Sequence, residues 1–318
     1  MKDSIFPSAP IVQAGGLAKT FHDFWRRPMV RAVNGISFEV RPGEVFGFLG
    51  PNGSGKSTTL RMMLGLLKPS AGELRVFGSS PHNVASKART GYLPEESCLY
   101  SFLTASETLM FYGSLFNLDR TVLRERVRQL LEMTGLQYAA GRRVGEFSKG
   151  MLRRMGIAQA LINDPDLIIL DEPTSGLDPI GCRQVKDLIL TLAGRGKTII
   201  ISSHLLADIE NVCERVAIMN NGNILVHGRL TELLENTSLC RFSVETESAE
   251  QIRAILDFLT RQIGQNAKMD HPRKTLEQFF IETLEQALPA SKSPSGVAYA
   301  EKIAPFLAGK ESPGKDAS

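Results

Sequence analysis

Very little in these 318 residues marks a special environment. Only four cysteines occur, Cys98, Cys182, Cys213 and Cys240, with no CxxC pair. That excludes a disulfide framework or a thiolate zinc site and fits a reducing compartment. Long apolar runs are lacking too. Those around 167–170 and 199–201 fall far short of the roughly 18–20 residues that span a bilayer. The opening MKDSIFPSAP has no continuous apolar core of the signal-peptide kind, so a cytosolic chain is expected. Charge of either sign is not in excess: 37 basic against 34 acidic residues leave a net +3, too weak a bias for a nucleic-acid binder. No internal repeat is present. The remaining composition, 42% apolar and 22% charged, is that of a globular protein with one large domain or a domain and an appendage.

Hydrophobic spacing predicts strands at 11–12, 33–40 and 45–49, the last a continuous apolar run suited to a sheet centre. HDFWRRPMVR between the first two reads as an aromatic, basic loop. A helix is predicted from Lys56 to about Leu67, with Leu60, Met63, Leu64 and Leu67 on one face and Lys68-Pro69 ending it. From about 104 to 161 the period is helical, marked by Leu109, Tyr112, Leu115 and Phe116, then Val127, Leu130, Leu131 and Leu136. Strands return at 167–170, 198–202 and 216–219, with a helix over 182–192 and a hairpin through Asn221-Gly222 to a strand at 224–227. Strands alternating with helices imply a largely parallel α/β sheet interrupted by a helical insert. Further on, a strand is predicted at 240–247. A capping box at Ser248-Ala-Glu-Gln251 opens an amphipathic helix with Ile252, Ile255, Leu256, Leu259 and Ile263 inward, and Thr275-Leu-Glu-Gln278 opens another. From about Ala290 the composition is that of a disordered tail.

GPNGSGKST, residues 50–58, fits GxxxxGK[ST] after a strand and before a helix. Its glycines let backbone N–H groups turn toward phosphates at the positive end of the helix. Lys56 is placed to reach the β- and γ-phosphates and the Ser57 hydroxyl to hold Mg²⁺. LIILDEP delivers Asp171 and Glu172 at the end of a buried strand, where open α/β sheets bind ligands. Asp171 suits Mg²⁺ held through water, and Glu172 suits polarisation of an attacking water. His204 follows the apolar strand TIIISS and reads either as a structural histidine or as a sensor of the γ-phosphate. EFSKGMLRRMGIAQAL opens a helix at Ser148, either an ordinary N-cap or an anion site, with Arg153 and Arg154 read as its solvated face.

In these motifs the chain resembles the ATP-binding subunits of ABC (ATP-binding cassette) transporters. GPNGSGKST is similar to the Walker A motif, LIILDEP to Walker B with Glu172 as catalytic glutamate, SGLD (Ser175 to Asp178) to the D-loop, His204 to the switch histidine and FSKGM to the signature. The resemblance implies a P-loop cassette over about 11–235, with a RecA-like core sheet, an antiparallel β subdomain and a helical subdomain at about 102–160. Residues 1–10 would be a leader, 236–288 a small α+β appendage and 289–318 a disordered tail. It further implies ATP and Mg²⁺ as cofactors, with nucleotide contacts from Phe21, Gly50, Pro51, Asn52, Gly53, Ser54, Gly55, Lys56, Ser57, Thr58, Glu95, Ser148, Gly150 and Asp178. Ser57, Glu95 and Asp171 would serve the metal, and Glu172, His204 and Lys56 the catalysis.

In that family the signature serine and glycine contact the γ-phosphate held by another subunit's Walker A. A head-to-tail dimer around two ATP is therefore implied, with a second copy or a paralogous cassette, driving a separate membrane permease from the inner face of the cytoplasmic membrane. Lys149 and Met151 depart from the usual signature, and Glu95 in GYLPEE stands where the family's Q-loop glutamine does. SKGM, GYLPEE and TLEQFFIETLEQA resemble the branch that energises export permeases. Phe21 in LAKTF stands at the adenine-stacking position, with a plain strand residue as the other reading. Trp25, Arg26 and Arg27 read as touching lipid headgroups or permease, or as a solvated loop, and the appendage as a dimerising or regulatory module or a packing cap. A soluble cassette ATPase acting on ribosomes or nucleic acid is the alternative. It is disfavoured by the single cassette, the absence of coiled-coil or zinc inserts and the near-neutral charge. A cassette that only binds ATP would be expected to lack Glu172 or His204.

Overall fold

The computed structural model describes residues 9–25, 27–96, 98–234 and 248–263. The described residues as far as Leu233 belong to one compact unit, and those from Leu234 to a second.

The first unit is organised by a six-stranded sheet. In spatial order its strands are β5 (Thr90–Leu93), β6 (Leu167–Asp171), β7 (Thr198–Ser203), β3 (Val45–Leu49), β8 (Arg215–Asn220) and β9 (Asn223–Arg229). The first five run parallel and only β9 is antiparallel, joined to β8 through Asn221 and Gly222 with φ of 46° and 77°. Two successive positive φ values are those of a type I′ hairpin turn, which Asn-Gly favours. Every residue of β3, β6 and β7 is buried, as continuous apolar runs demand of central strands. Successive side chains of a strand point to opposite faces. Phe46 and Phe48 accordingly pack into one core and Val45 and Leu49 into the other.

The Phe46 and Phe48 face meets a three-stranded antiparallel sheet of β2 (Pro28–Val40), β1 (Val12–His22) and β4 (Ala71–Val76). Phe38 of β2 joins Phe46 and Phe48 in an aromatic cluster with centroids 5.2–6.1 Å apart. The opposite core is built with the helical insert, α3 (Ala105–Ser114), α4 (Arg120–Met133) and α5 (Lys149–Leu161). Each of these starts on a side-chain cap: Thr104 in a capping box with Glu107, then Asp119, then Ser148.

Several expectations are corrected. Half of HDFWRRPMVR is strand and not loop: His22 ends β1, and Pro28 to Arg31 open β2. Helix α1 (Lys56–Met63) stops four residues short of Leu67, because Gly65 turns left-handed at φ 65° and Leu66 N–H reaches back to the Arg61 carbonyl at 2.9 Å. That is a Schellman stop, acting before Lys68-Pro69 is reached. Leu115 and Phe116 are exposed, since α3 ends at Ser114 and its helical period no longer governs them. Strands β4 and β5 and the short helices α2 (Val84–Ala88), α7 (Leu206–Glu210) and α8 (Leu230–Leu234) carry too few apolar residues in period to stand out.

Arg153 and Arg154 are 4% and 9% exposed, not a solvated face. Helix α5 lies between the sheet and α3 and α4 and is buried over most of its circumference from Arg153 on. In the second unit, α9 (Ala249–Ile263) begins at Ser248, whose hydroxyl accepts from Gln251 N–H at 3.4 Å. Ile255, expected inward, is 38% exposed. The predicted strand at 240–247, the helix opening at Thr275, Arg26, residues 1–8 of the leader and the tail lie outside the described residues.

Leu130→Ala should cost roughly 2–5 kcal/mol through its cavity, seen as a lower urea midpoint, because Leu130 is fully buried. Leu115→Ala, at an exposed position, should stay within about 0.5 kcal/mol. Equal effects of the two would contradict the packing of the insert.

Candidate functional site: a phosphate loop at the carboxyl edge of the sheet

Register places the site. Leu49 pairs with Ser203 and Asp171 with Ser202, so β3, β6 and β7 end side by side. The chain leaving each strand therefore brings Gly50, Glu172 and His204 to one edge of the sheet, the edge at which open α/β sheets hold ligands. A cleft of about 610 Å³ opens there, lined by Val30, Arg31, Ala32, residues 52–58, Glu95, Glu172 and Asn221.

The loop's backbone leaves no room for side chains at two places. A Cβ on Gly50 would stand 2.2 Å from the Met219 carbonyl oxygen. Gly55 has φ 103°, and a Cβ there would meet the Ala32 carbonyl oxygen at 2.4 Å. Gly55 is also the residue from which α1 departs, so the helix's free N–H groups open onto the loop. The Lys56 side chain is 6% exposed. Its ammonium donates to the Gly50 and Pro51 carbonyls at 2.7 and 3.2 Å and lies 3.6 Å from Glu172 Oε1. His204 Nδ1 lies 2.8 Å from the other oxygen, Glu172 Oε2. The glutamate thus bridges a lysine of the phosphate loop and a histidine of the next strand end.

Asp171 lies beneath, 1% exposed. Its Oδ1 accepts from the Ser57 hydroxyl at 3.1 Å and from the Ser202 hydroxyl, while Oδ2 has no hydrogen-bond partner. Ser54 Oγ is a second buried oxygen without one. Orphaned buried polar atoms are costly unless a ligand completes them. A carboxylate oxygen with a spare lone pair beside a serine hydroxyl is a donor set that fits a small, hard cation such as Mg²⁺.

Glu172 adopts φ 51°, a left-handed value uncommon for a residue with a side chain. Its N–H donates to Ser202, to the carbonyl at 3.1 Å and the hydroxyl at 3.0 Å, which holds it there. The Arg153 guanidinium also reaches this corner from α5. Burial lowers its pKa to about 10, opposed by the nearby Asp171, Glu172 and Glu95 charges. It remains a cation at neutral pH.

Of the residues singled out from sequence, 52–58, Glu95 and Glu172 line the cleft, with Gly50, Pro51, Asp171 and His204 bonded to them. Ser148, Gly150, Asp178 and Phe21 are not in its lining. Ser148 and Asp178 are exposed and cap α5 and α6 (Pro179–Gly194), accepting from Met151 and Gly181 N–H at 3.3 and 2.6 Å. Phe21 is 38% exposed with the Lys19 ammonium 5.3 Å above its ring, and pairs across the ladder with Val30. Val30, Arg31, Ala32, Asn221, Ser202 and Arg153 escaped the sequence reading. Ser202 carried a weak signal, as the first of two serines between the apolar run 199–201 and His204.

A strand, phosphate loop and helix beside a buried carboxylate strand end define a P-loop nucleotide-binding α/β protein. The family described as ABC transporter matches residues 33–175. An ABC transporter ATP-binding protein of Synechocystis sp. is 37% identical over 303 residues, 87% of this chain and 86% of its own. Nod factor export ATP-binding protein I of Ralstonia nicotianae is 37% identical over 235 residues, 73% of this chain and 71% of its own. The ATP-binding cassette MJ0796, solved as a dimer in a post-hydrolysis state with ADP and Pi, superposes with a TM-score of 0.64 at 25% identity. That match covers 69% of this chain and 98% of the cassette. The chain belongs to the ATP-binding proteins of the ABC transporter family and is an ABC-type ATPase. No helix among the described residues is long and apolar enough to cross a membrane.

Lys56→Ala should reduce ATP hydrolysis to background and weaken nucleotide binding, measured by phosphate release and by fluorescent-nucleotide titration. Ser202→Ala removes the hydroxyl shared by Asp171 and the Glu172 amide and should lower kcat about tenfold with little change in binding. Normal turnover in either variant would contradict the assignment of this edge as the site.

Proposed function

We infer that this chain is the energising subunit of an export transporter. It closes with a second copy of itself, or with a paralogous cassette, around two ATP and drives a separate membrane permease. The carrying observation is the division of the site. The cleft supplies the phosphate loop, Asp171, Glu172 and His204, while Ser148 and Asp178 lie outside it on exposed surface and Gly150 outside it, half-buried. A nucleotide seated on the loop thus has one face toward this chain and another left for a second cassette. The dimeric MJ0796 cassette supports that arrangement, and the Nod factor export relative supports export. The same reading places the chain at the inner face of the cytoplasmic membrane, held by the permease, with the cassette at about 11–235 and an appendage beyond it.

The chemistry follows from the contacts. Arriving phosphate oxygens replace the Gly50 and Pro51 carbonyls and Glu172 as acceptors for Lys56, exchanging two carbonyls and one carboxylate for anionic oxygens of the nucleotide. Glu172, released from the lysine but still aligned by His204, accepts the proton of a water that attacks the γ-phosphorus, while the bond from that phosphorus to the bridging oxygen breaks and ADP leaves. Ser57, Asp171 and Glu95 would hold Mg²⁺, which when bound would supply positive charge to the phosphate oxygens. His204 keeps the carboxylate oriented, and the loop's N–H groups stabilise charge on the phosphates. Nothing in this cleft selects a cargo.

Glu172→Gln should retain ATP but not hydrolyse it, and should elute as an ATP-dependent dimer in size-exclusion chromatography. Ser148→Arg in that background should abolish the dimer and leave binding to the single cassette intact. A Glu172→Gln chain that stays monomeric at saturating ATP, or a Ser148→Arg chain that still dimerises, would remove the two-cassette reading. Pull-down of tagged Glu172→Gln from solubilised membranes separates the classes. A multi-helix membrane protein at equal stoichiometry supports the transporter, and ribosomes or nucleic acid support the soluble alternative.

A further inference from the structure

Arg153 occupies a place that none of the recognised motifs explains. Its guanidinium has five N–H groups, and five backbone carbonyls receive them. Nε donates to Pro173 at 3.0 Å, and Nη1 donates to Pro94 at 2.6 Å and to Glu95 at 2.9 Å. Nη2 donates to Asp171 and to Glu172. Two of these carbonyls belong to the loop after β5, which carries Glu95 to the cleft. The other three belong to the last residue of β6, Asp171, and to the turn that follows it and carries Glu172. Neither segment is joined to the other by strand pairing beyond Leu93 and Leu170, the last pair of the β5–β6 ladder. The side chain that bridges them comes from α5, five residues after Ser148, and is 4% exposed.

Burying a cation this deeply is costly unless its donors are satisfied. Here the compensation comes from main-chain dipoles at the two turns that present acids to the nucleotide. A purely structural cation could have been completed by any carbonyls. These five include the carbonyl of Glu172, whose left-handed φ of 51° sets the direction of its side chain. Arg153 therefore fixes the peptide on one side of Glu172 while Ser202 fixes the amide on the other.

We propose that Arg153 is a positioning residue for hydrolysis: it locks the Glu95 loop and the Glu172 turn into one rigid unit, so that the Glu172 carboxylate is aimed from the start of α5. This rests on the reading of Glu172 as the base. Lysine keeps the charge but has only three donors, so Arg153→Lys must abandon at least two of the five carbonyls.

The test is steady-state ATPase kinetics on the full chain, with fluorescent-nucleotide binding beside it. Arg153→Lys should lose about tenfold or more in kcat while KM for ATP and nucleotide affinity stay within about twofold, the pattern of an interaction that matters only in the transition state. Arg153→Ala should regain part of its kcat when millimolar guanidinium is added, and none with sodium chloride at the same ionic strength. Wild-type kcat in Arg153→Lys beside an inert Glu172→Gln would overturn this inference alone. Hydrolysis retained by Glu172→Gln would overturn the base assignment and this inference with it. Parallel losses in kcat, affinity and melting temperature, without guanidinium rescue, would reduce Arg153 to a packing residue and also overturn it. Should neither variant fold, hydrogen exchange on the unsubstituted chain decides. Amides of Glu95 and Glu96 and of Glu172, Thr174 and Ser175 changing protection together when a non-hydrolysable ATP analogue is added support the lock, and separate changes overturn it.

Discussion

Lateral pairing of β3, β6 and β7 is the constraint on which everything else in the cassette depends. These strands are buried along their whole length, so their backbone groups are satisfied only by neighbouring strands: each other, and β5 and β8 at the flanks. Parallel pairing in the observed register brings their carboxyl ends level, with Asp171 beside Ser202 and Leu49 beside Ser203. A slip of one residue would turn every side chain to the wrong face, moving Phe46 and Phe48 out of their aromatic cluster. The same slip would separate the phosphate loop from the acids. Packing and chemistry are thus held by one set of hydrogen bonds.

At that edge, polar groups that burial would otherwise penalise hold one another. Lys56 is satisfied by its own loop's carbonyls and Glu172, Asp171 by two serine hydroxyls, and Arg153 by five carbonyls. Asp171 Oδ2 and Ser54 Oγ are buried there without a partner. A second buried group, Lys186 with Asp208 at 2.9 Å and Asp208 with the Thr174 hydroxyl, ties the turn after Glu172 to α6 and to α7 behind His204. Low local dielectric strengthens such networks and makes each incomplete member costly, which favours a single arrangement of this corner.

The described unit combines a cleft built on strand ends with exposed starts of α5 and α6 at Ser148 and Asp178. Rigidity comes from side chains that anchor main chain, as Ser202 and Arg153 do at Glu172.

The sequence by itself determined the central strands, the Asn221-Gly222 hairpin, the phosphate loop and the acids at the end of LIILD. In each of these the signal is local: an unbroken apolar run, a turn dipeptide or a glycine spacing has one physical meaning wherever it falls. Short β4 and β5 were hidden because only their place beside longer strands stabilises them. The stop of α1 was decided by the backbone of Gly65, where a Cβ would stand 2.6 Å from the Pro81 carbonyl oxygen, a contact from a segment sixteen residues on. Arg153 shows the limit most plainly. A charged residue on an amphipathic helix reads as solvated, and only the closing of β5, β6 and α5 around it supplied the five carbonyls that let it be buried. Partners distant in sequence but adjacent in space belong to tertiary structure, because no local pattern records which backbone will arrive opposite a given side chain.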